Sequence, residues 1–108
     1  MTTHAQIDER SLAMHRLVAD KIRAEPALFE RAKQTLARWR VTVCSASQPY
    51  LMEWERLMAQ GMESCLAVAT ENSQRAAALR QSSPFAGILT NQERFAFLKK
   101  WKHDHEAP

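Results

Sequence analysis

Four histidines, two cysteines and a scatter of serines and carboxylates are the side chains here with the means to do chemistry. The run His103-Asp104-His105-Glu106 holds metal-ligand types. On a helix, however, a spacing of two points His103 and His105 to different faces, and the run reads as a solvated chain end. Cys44 and Cys65 form no Cys-x-x-Cys pair and have no histidine at ligand spacing, so they are expected as reduced thiols. Acid–base or nucleophilic catalysis needs groups that converge in a pocket. No serine stands in a nucleophile-elbow setting, and Glu53, Glu55, Glu63 and Glu71 are spread along predicted helix surfaces. His15 borders an apolar stripe and reads as a boundary residue with an ordinary hydrogen bond. Only Gly61 and Gly87 occur, which leaves no Gly-rich phosphate loop. The expectation is a chain that is not an enzyme and carries no metal and no nucleotide cofactor.

The charged residues are more informative. Arg31, Lys33, Arg38 and Arg40 crowd one predicted helix, and Lys99, Lys100 and Lys102, with Arg94, crowd the last. Such clusters can displace counterions from a phosphate backbone. They can equally rim a core, with their stems buried and their heads in water. The net charge of +3 is low for a dedicated nucleic-acid binder, and no helix-turn-helix is evident. Nucleic-acid contact at Arg31, Lys33, Arg38, Arg40, Lys99, Lys100 and Lys102 is therefore a secondary expectation. One continuous basic face in the folded chain favours DNA, and scattered rims favour a protein partner. Trp39, Trp54 and Trp101 lie on apolar stripes and are expected in the core.

The elements that position these residues are helices. Ile7, Met14, Leu17, Val18 and Ile22 recur at helical steps, which predicts a first helix from about Asp8 to Ala24, stopped by Pro26. Leu28, Phe29, Ala32, Leu36, Trp39 and Val43 form a second stripe, and Cys44 to Gln48 reads as a loop. Pro49 opens a third helix with Tyr50, Leu51, Trp54, Leu57 and Met58 inward and Gly61 as terminator. A short fourth helix turns Met62, Cys65, Leu66 and Ala69 inward. Thr70, Asn72 or Ser73 caps a fifth, Gln74 to about Arg80. Thr90-Asn91-Gln92-Glu93 is a capping box for a last helix with Phe95, Leu98 and Trp101 inward. Nothing alternates with period two. The fold class is all-α, a compact bundle of five or six short amphipathic helices.

With 108 residues the chain is one domain, with residues 1–7 and 103–108 expected as flexible ends. Apolar residues make up 45 % and charged ones 25 %, the mix of a water-soluble globule. No apolar run approaches the roughly 20 residues of a membrane-spanning helix, and the N-terminus lacks the order of a secretory signal, so a cytoplasmic location is expected.

The segment Arg80-Gln81-Ser82-Ser83-Pro84-Phe85 fits two readings: helix capping with Phe85 tucked into the core, or a recognition edge that proline holds rigid. This segment, extended through Leu79 and through Ala86-Gly87, carries a resemblance. So do Ser11-Leu12 with His15-Arg16, Glu25-Pro26-Ala27-Leu28 with Arg31-Ala32, and Trp54-Glu55-Arg56-Leu57. Together they resemble a group of small bacterial proteins encoded beside nucleotidyltransferase-like proteins, in pairs that look like toxin–antitoxin modules. The likeness spans about residues 11 to 98, with the Arg-Gln-Ser-Ser-Pro-Phe run its most distinctive element. It implies a helical antitoxin that inhibits a partner enzyme by binding it. The implied partner contacts are Arg80, Gln81, Ser82, Ser83 and Phe85, with Arg80 meeting carboxylates, such as those of a magnesium site, or backbone carbonyls. The runner-up is a DNA-binding transcriptional regulator.

Overall fold

The computed structural model describes residues 4–106. Six helices follow one another: α1 (His4–Ala24), α2 (Ala27–Thr42), α3 (Gln48–Ala59), α4 (Met62–Ala69), α5 (Gln74–Arg80) and α6 (Asn91–Glu106). A single 3-10 turn, Ser45–Ser47, occupies the expected loop before α3, and no strand occurs among the described residues. The all-α bundle expected from the periodicity is the observed fold. Residues 1–3 and 107–108, within the expected flexible ends, lie outside the described residues. Residues 4–7 and 103–106 are helical, so α1 starts four residues before Asp8.

Local chemistry accounts for most boundaries. α1 ends at Ala24, and Pro26 sits immediately before the first residue of α2, where a missing N–H costs nothing. At the far end of α2, Val43 is extended, and the Gln48 side-chain amide donates to Trp39 O at 3.3 Å and Val43 O at 3.0 Å. One glutamine thereby ties the end of α2 to the start of α3. Gly61 joins α3 to α4 at φ 121°, a conformation open to glycine and strained for other residues. Ser73 Oγ accepts the Ala76 N–H at 3.1 Å and caps α5. The capping box forms as predicted: Thr90 N–H donates to Glu93 Oε1 at 2.8 Å, and Glu93 N–H to Thr90 Oγ1 at 3.1 Å.

The core gathers Val18 and Ile22 of α1, Phe29 and Leu36 of α2, Leu51 and Trp54 of α3, Leu66 of α4, Leu79 of α5, and Phe85 and Ile88 from the connection to α6. Trp54 is fully buried, and its indole N–H donates to Leu79 O at 2.9 Å. α1 packs on α2, α4 and α5, while α3 rests on α2 and α4. α6 meets α1 along a cleft bordered by Gln6, Glu9 and Arg10 on one side and by Leu98 and Trp101 on the other. Lys21 of α1 also pairs with Glu93 of α6.

Four expected core residues stand at the surface instead. Ile7 and Leu17 of α1 and Tyr50 of α3 are each about two-fifths exposed, and Phe95 is 70 % exposed. Repeated steps of three explain Phe95. At about 100° per residue, three steps fall 60° short of a full turn, so Phe95 lies roughly 120° around the helix from Trp101. The face of α6 that turns Leu98 and Trp101 toward α1 turns Phe95 away. Trp39 and Trp101 are half-buried, and Trp54 alone of the three tryptophans is core.

Candidate functional site

The five residues expected to face a partner are mostly turned inward. Arg80, the last residue of α5, is 6 % exposed. Its Nη1 donates to Ala69 O at 3.1 Å and to Glu71 O at 2.8 Å. Helix α4 ends at Ala69, where backbone carbonyls have no partner within the helix. The guanidinium supplies donors to that end from another element. Its pKa is lowered, first by burial, with Arg16 adding to the effect and Asp8 and Glu71 opposing it.

Ser83, Pro84 and Phe85 are also buried. Phe85 meets Trp54 edge-on with ring centroids 5.4 Å apart and stacks on Phe29 at 6.5 Å. The recognition-edge reading is therefore corrected for Arg80, Ser83 and Phe85: the segment closes the core. Gln81 is exposed and Ser82 half-exposed, and these two alone of the five reach the surface.

His15 is buried too, and is no boundary residue. Its Nδ1 lies 2.7 Å from Ser11 O and its Nε2 2.7 Å from Ser83 Oγ. A carbonyl only accepts, so the network assigns the proton to Nδ1 and leaves Nε2 to accept from the Ser83 hydroxyl. Ser83 Oγ in turn accepts the Phe85 N–H at 3.1 Å. Burial is the largest cause lowering the His15 pKa, the bond to Ser11 opposes it, and the charge of Arg80 adds to the lowering. A neutral imidazole thus pins the Ser-Pro-Phe turn to α1.

Two clefts flank Arg80. One, about 640 Å³, runs between the first half of α1, the start of α5 and Trp101, and carries Asp8 and Glu9 beside Arg16. The other, about 400 Å³, is walled by Met14, Trp39, Val43 and Leu51 and bordered by His15, Arg80, Ser82 and Arg94. Arg94 Nη2 donates to Ala86 O at 2.8 Å.

The cations do not gather on one face of α2. Arg31 and Arg38, both exposed, share a stripe one heptad apart, while Lys33 and Arg40 lie roughly 160° away around the helix. Lys33 pairs with Glu30 at 3.4 Å and sits 5.2 Å above the Phe29 ring. Arg40 pairs with Glu55 at 3.3 Å and also donates to Gln48. Lys99, Lys100 and Lys102 are exposed at different azimuths of α6. No three His, Cys, Asp or Glu side chains converge as a metal site among the described residues. His105 stacks on Trp101 with centroids 3.6 Å apart. Cys44 is exposed and Cys65 buried, both as free thiols, and burial pushes the Cys65 pKa up to about 12.

No family model, curated protein or solved structure matches this chain. Its residues alone therefore carry the functional argument. Reading the sequence missed the His15–Ser83 pair, whose members are 68 positions apart with no local motif joining them. It also missed the approach of Arg94 to the cleft beside them. The one signal in the sequence was the concentration of polar residues between Arg80 and Ser83.

Proposed function

We propose that this chain is an antitoxin-like module that binds and neutralises a partner enzyme, a nucleotidyltransferase-like toxin, by protein–protein contact. The outward face of α6 carries the reading. Phe95 is a large aromatic side chain left 70 % in water on a helix that also presents Lys99 one turn further on. An aromatic anchor with a polar or cationic rim is the usual make-up of an interface hot spot. A cytoplasmic setting, where such enzymes meet their substrates, goes with this reading. The Arg80–Phe85 segment contributes from inside, by fixing the turn that leads into α6, with Gln81 and Ser82 as its surface margin.

The division of the α2 cations between two flanks, with Lys33 and Arg40 paired to acids, speaks against a single phosphate-tracking face. DNA binding stands second for that reason.

The test is capture of the partner from the native host, followed by calorimetry with the purified pair. Phe95→Ala should weaken the complex by roughly 2 kcal/mol or more while leaving thermal unfolding of the free chain unchanged. Unchanged affinity would remove α6 from the interface. A tight complex with one operator, formed by this chain alone at physiological salt, would put the regulator reading first.

A further inference from the structure

Arg80 and Arg94 border the smaller cleft, and no aspartate or glutamate lines it. The larger cleft on the other side of Arg80 differs, because Asp8 and Glu9 stand there beside Arg16. Arg80 is a nearly buried cation whose recorded acceptors are two neutral carbonyls. Its Nε is buried without any hydrogen-bond partner, and among the described residues no carboxylate lies at ion-pair distance from Arg80 or Arg94. Asp8 and Glu71 offset the Arg80 charge only from beyond ion-pair distance, and the unsatisfied buried N–H adds a cost of its own. A buried donor left without a partner marks a place that water, an ion or a ligand can complete.

The rest of the cleft suits an amphiphilic guest. Met14, Trp39 and Leu51 give it an apolar wall, and the Ser82 side chain stands at its border. His15, held neutral by burial with its Nδ1 proton on Ser11 O, brings no further charge to the site. At about 400 Å³ the space matches a small ring-bearing molecule.

We propose that this cleft binds a small organic oxyanion, a carboxylate or phosphate monoester with an apolar body. Arg80 and Arg94 supply the countercharge, and Met14, Trp39 and Leu51 hold the apolar part. The site is independent of the toxin-binding reading and can succeed or fail without it.

The experiment is an amide-resonance titration of the whole chain with benzoate and with phenyl phosphate. Benzamide serves as the neutral counterpart and inorganic phosphate as the anion without a body. Saturable shifts are expected at the amides of His15, Ser82 and Ser83 and at the Trp39 indole, with a Kd below about 1 mM for at least one aromatic anion. Benzamide and inorganic phosphate should each bind about tenfold more weakly or worse, because each lacks one half of the match. Arg94→Gln should weaken the aromatic anion about tenfold with an unchanged melting temperature, since among the described residues the Arg94 side chain donates to Ala86 O alone. Arg16→Gln, in the neighbouring cleft, should leave the Kd unchanged. The proposal is overturned by the absence of saturation up to about 10 mM of either aromatic anion. It is equally overturned by shifts centred on Asn72 and Ser73, by benzamide binding as well as benzoate, or by an Arg94→Gln variant that binds normally.

Discussion

Arg80 shows how burial changes the meaning of a residue. An arginine beside a polar run reads as a hot spot waiting for a carboxylate. Folded, it donates to Ala69 O at the end of α4 and to Glu71 O just beyond it, and its removal takes the buried partner from the Ala69 carbonyl, while Glu71 O keeps the Ser73 N–H. Arg80→Ala should therefore cost the free chain about 2–3 kcal/mol in a urea melt. Phe85→Ala, which empties a fully buried ring site against Trp54 and Phe29, should cost about 3–5 kcal/mol. His15 gives a pH signature. Its folded pKa lies below the ordinary imidazole value of 6.5, so the unfolded chain binds more protons between the two values. Its contribution is complete above 6.5 and is lost as pH falls toward the folded pKa. Urea midpoints should be level from pH 7 to 8 and decline from about 6.5 downward, and His15→Gln should flatten that decline. Glu93 does not confuse the test. Its carboxyl is held down to about 2, first by Lys21 and then by the Thr90 N–H, so its linked loss begins only below about 4.5. The apolar stripe of α1 put His15 at its edge, and nothing local marked Arg80 as buried. They could not show that His15 meets Ser83, because a pairing across 68 positions is made by tertiary packing.

Helix ends were the most legible elements, since caps act through residues three or four apart. Pro26, Ser73 and the Thr90–Glu93 box each stand where local chemistry requires. The start of α1 at His4 was missed because Ala5, Gln6 and Ile7 continue the helix upstream of the acids that normally mark a first turn. Phe95 was missed because a stripe read in steps of three drifts around the helix. Gly61 tests how far a single joint matters. Open space surrounds the position of an added Cβ there, so Gly61→Ala meets no clash and carries only the strain of φ 121°. A loss of about 1–2 kcal/mol is expected. Gly87→Ala, with equally open space and no positive φ, should change the melting temperature little. Equal effects from the two variants would mean that the α3–α4 joint relaxes.

Across the whole molecule, periodicity near 3.6 specified the class of fold, and the stripes of α2, α3 and α4 are buried where they were expected except at Tyr50, which is exposed, and at Trp39, Val43 and Met62, which are half-buried. Charge was less legible at this scale. Arg23 of α1 pairs with Glu63 of α4 and Arg40 of α2 with Glu55 of α3, so clusters that look segregated along the chain are interleaved in space. The same packing separates the two thiols, and each becomes a clock for a different event. Cys44, exposed after α2, should react with a disulfide reagent at the rate of a small thiol in solution. Cys65, fully buried and with its pKa raised to about 12, offers almost no thiolate and should react only when the chain opens. Labelling followed by mass spectrometry should give one fast and one slow phase. The slow phase should quicken in step with each destabilising variant if opening is global. A slow phase indifferent to Phe85→Ala would mean that α4 breathes on its own, and that the bundle comes apart there first.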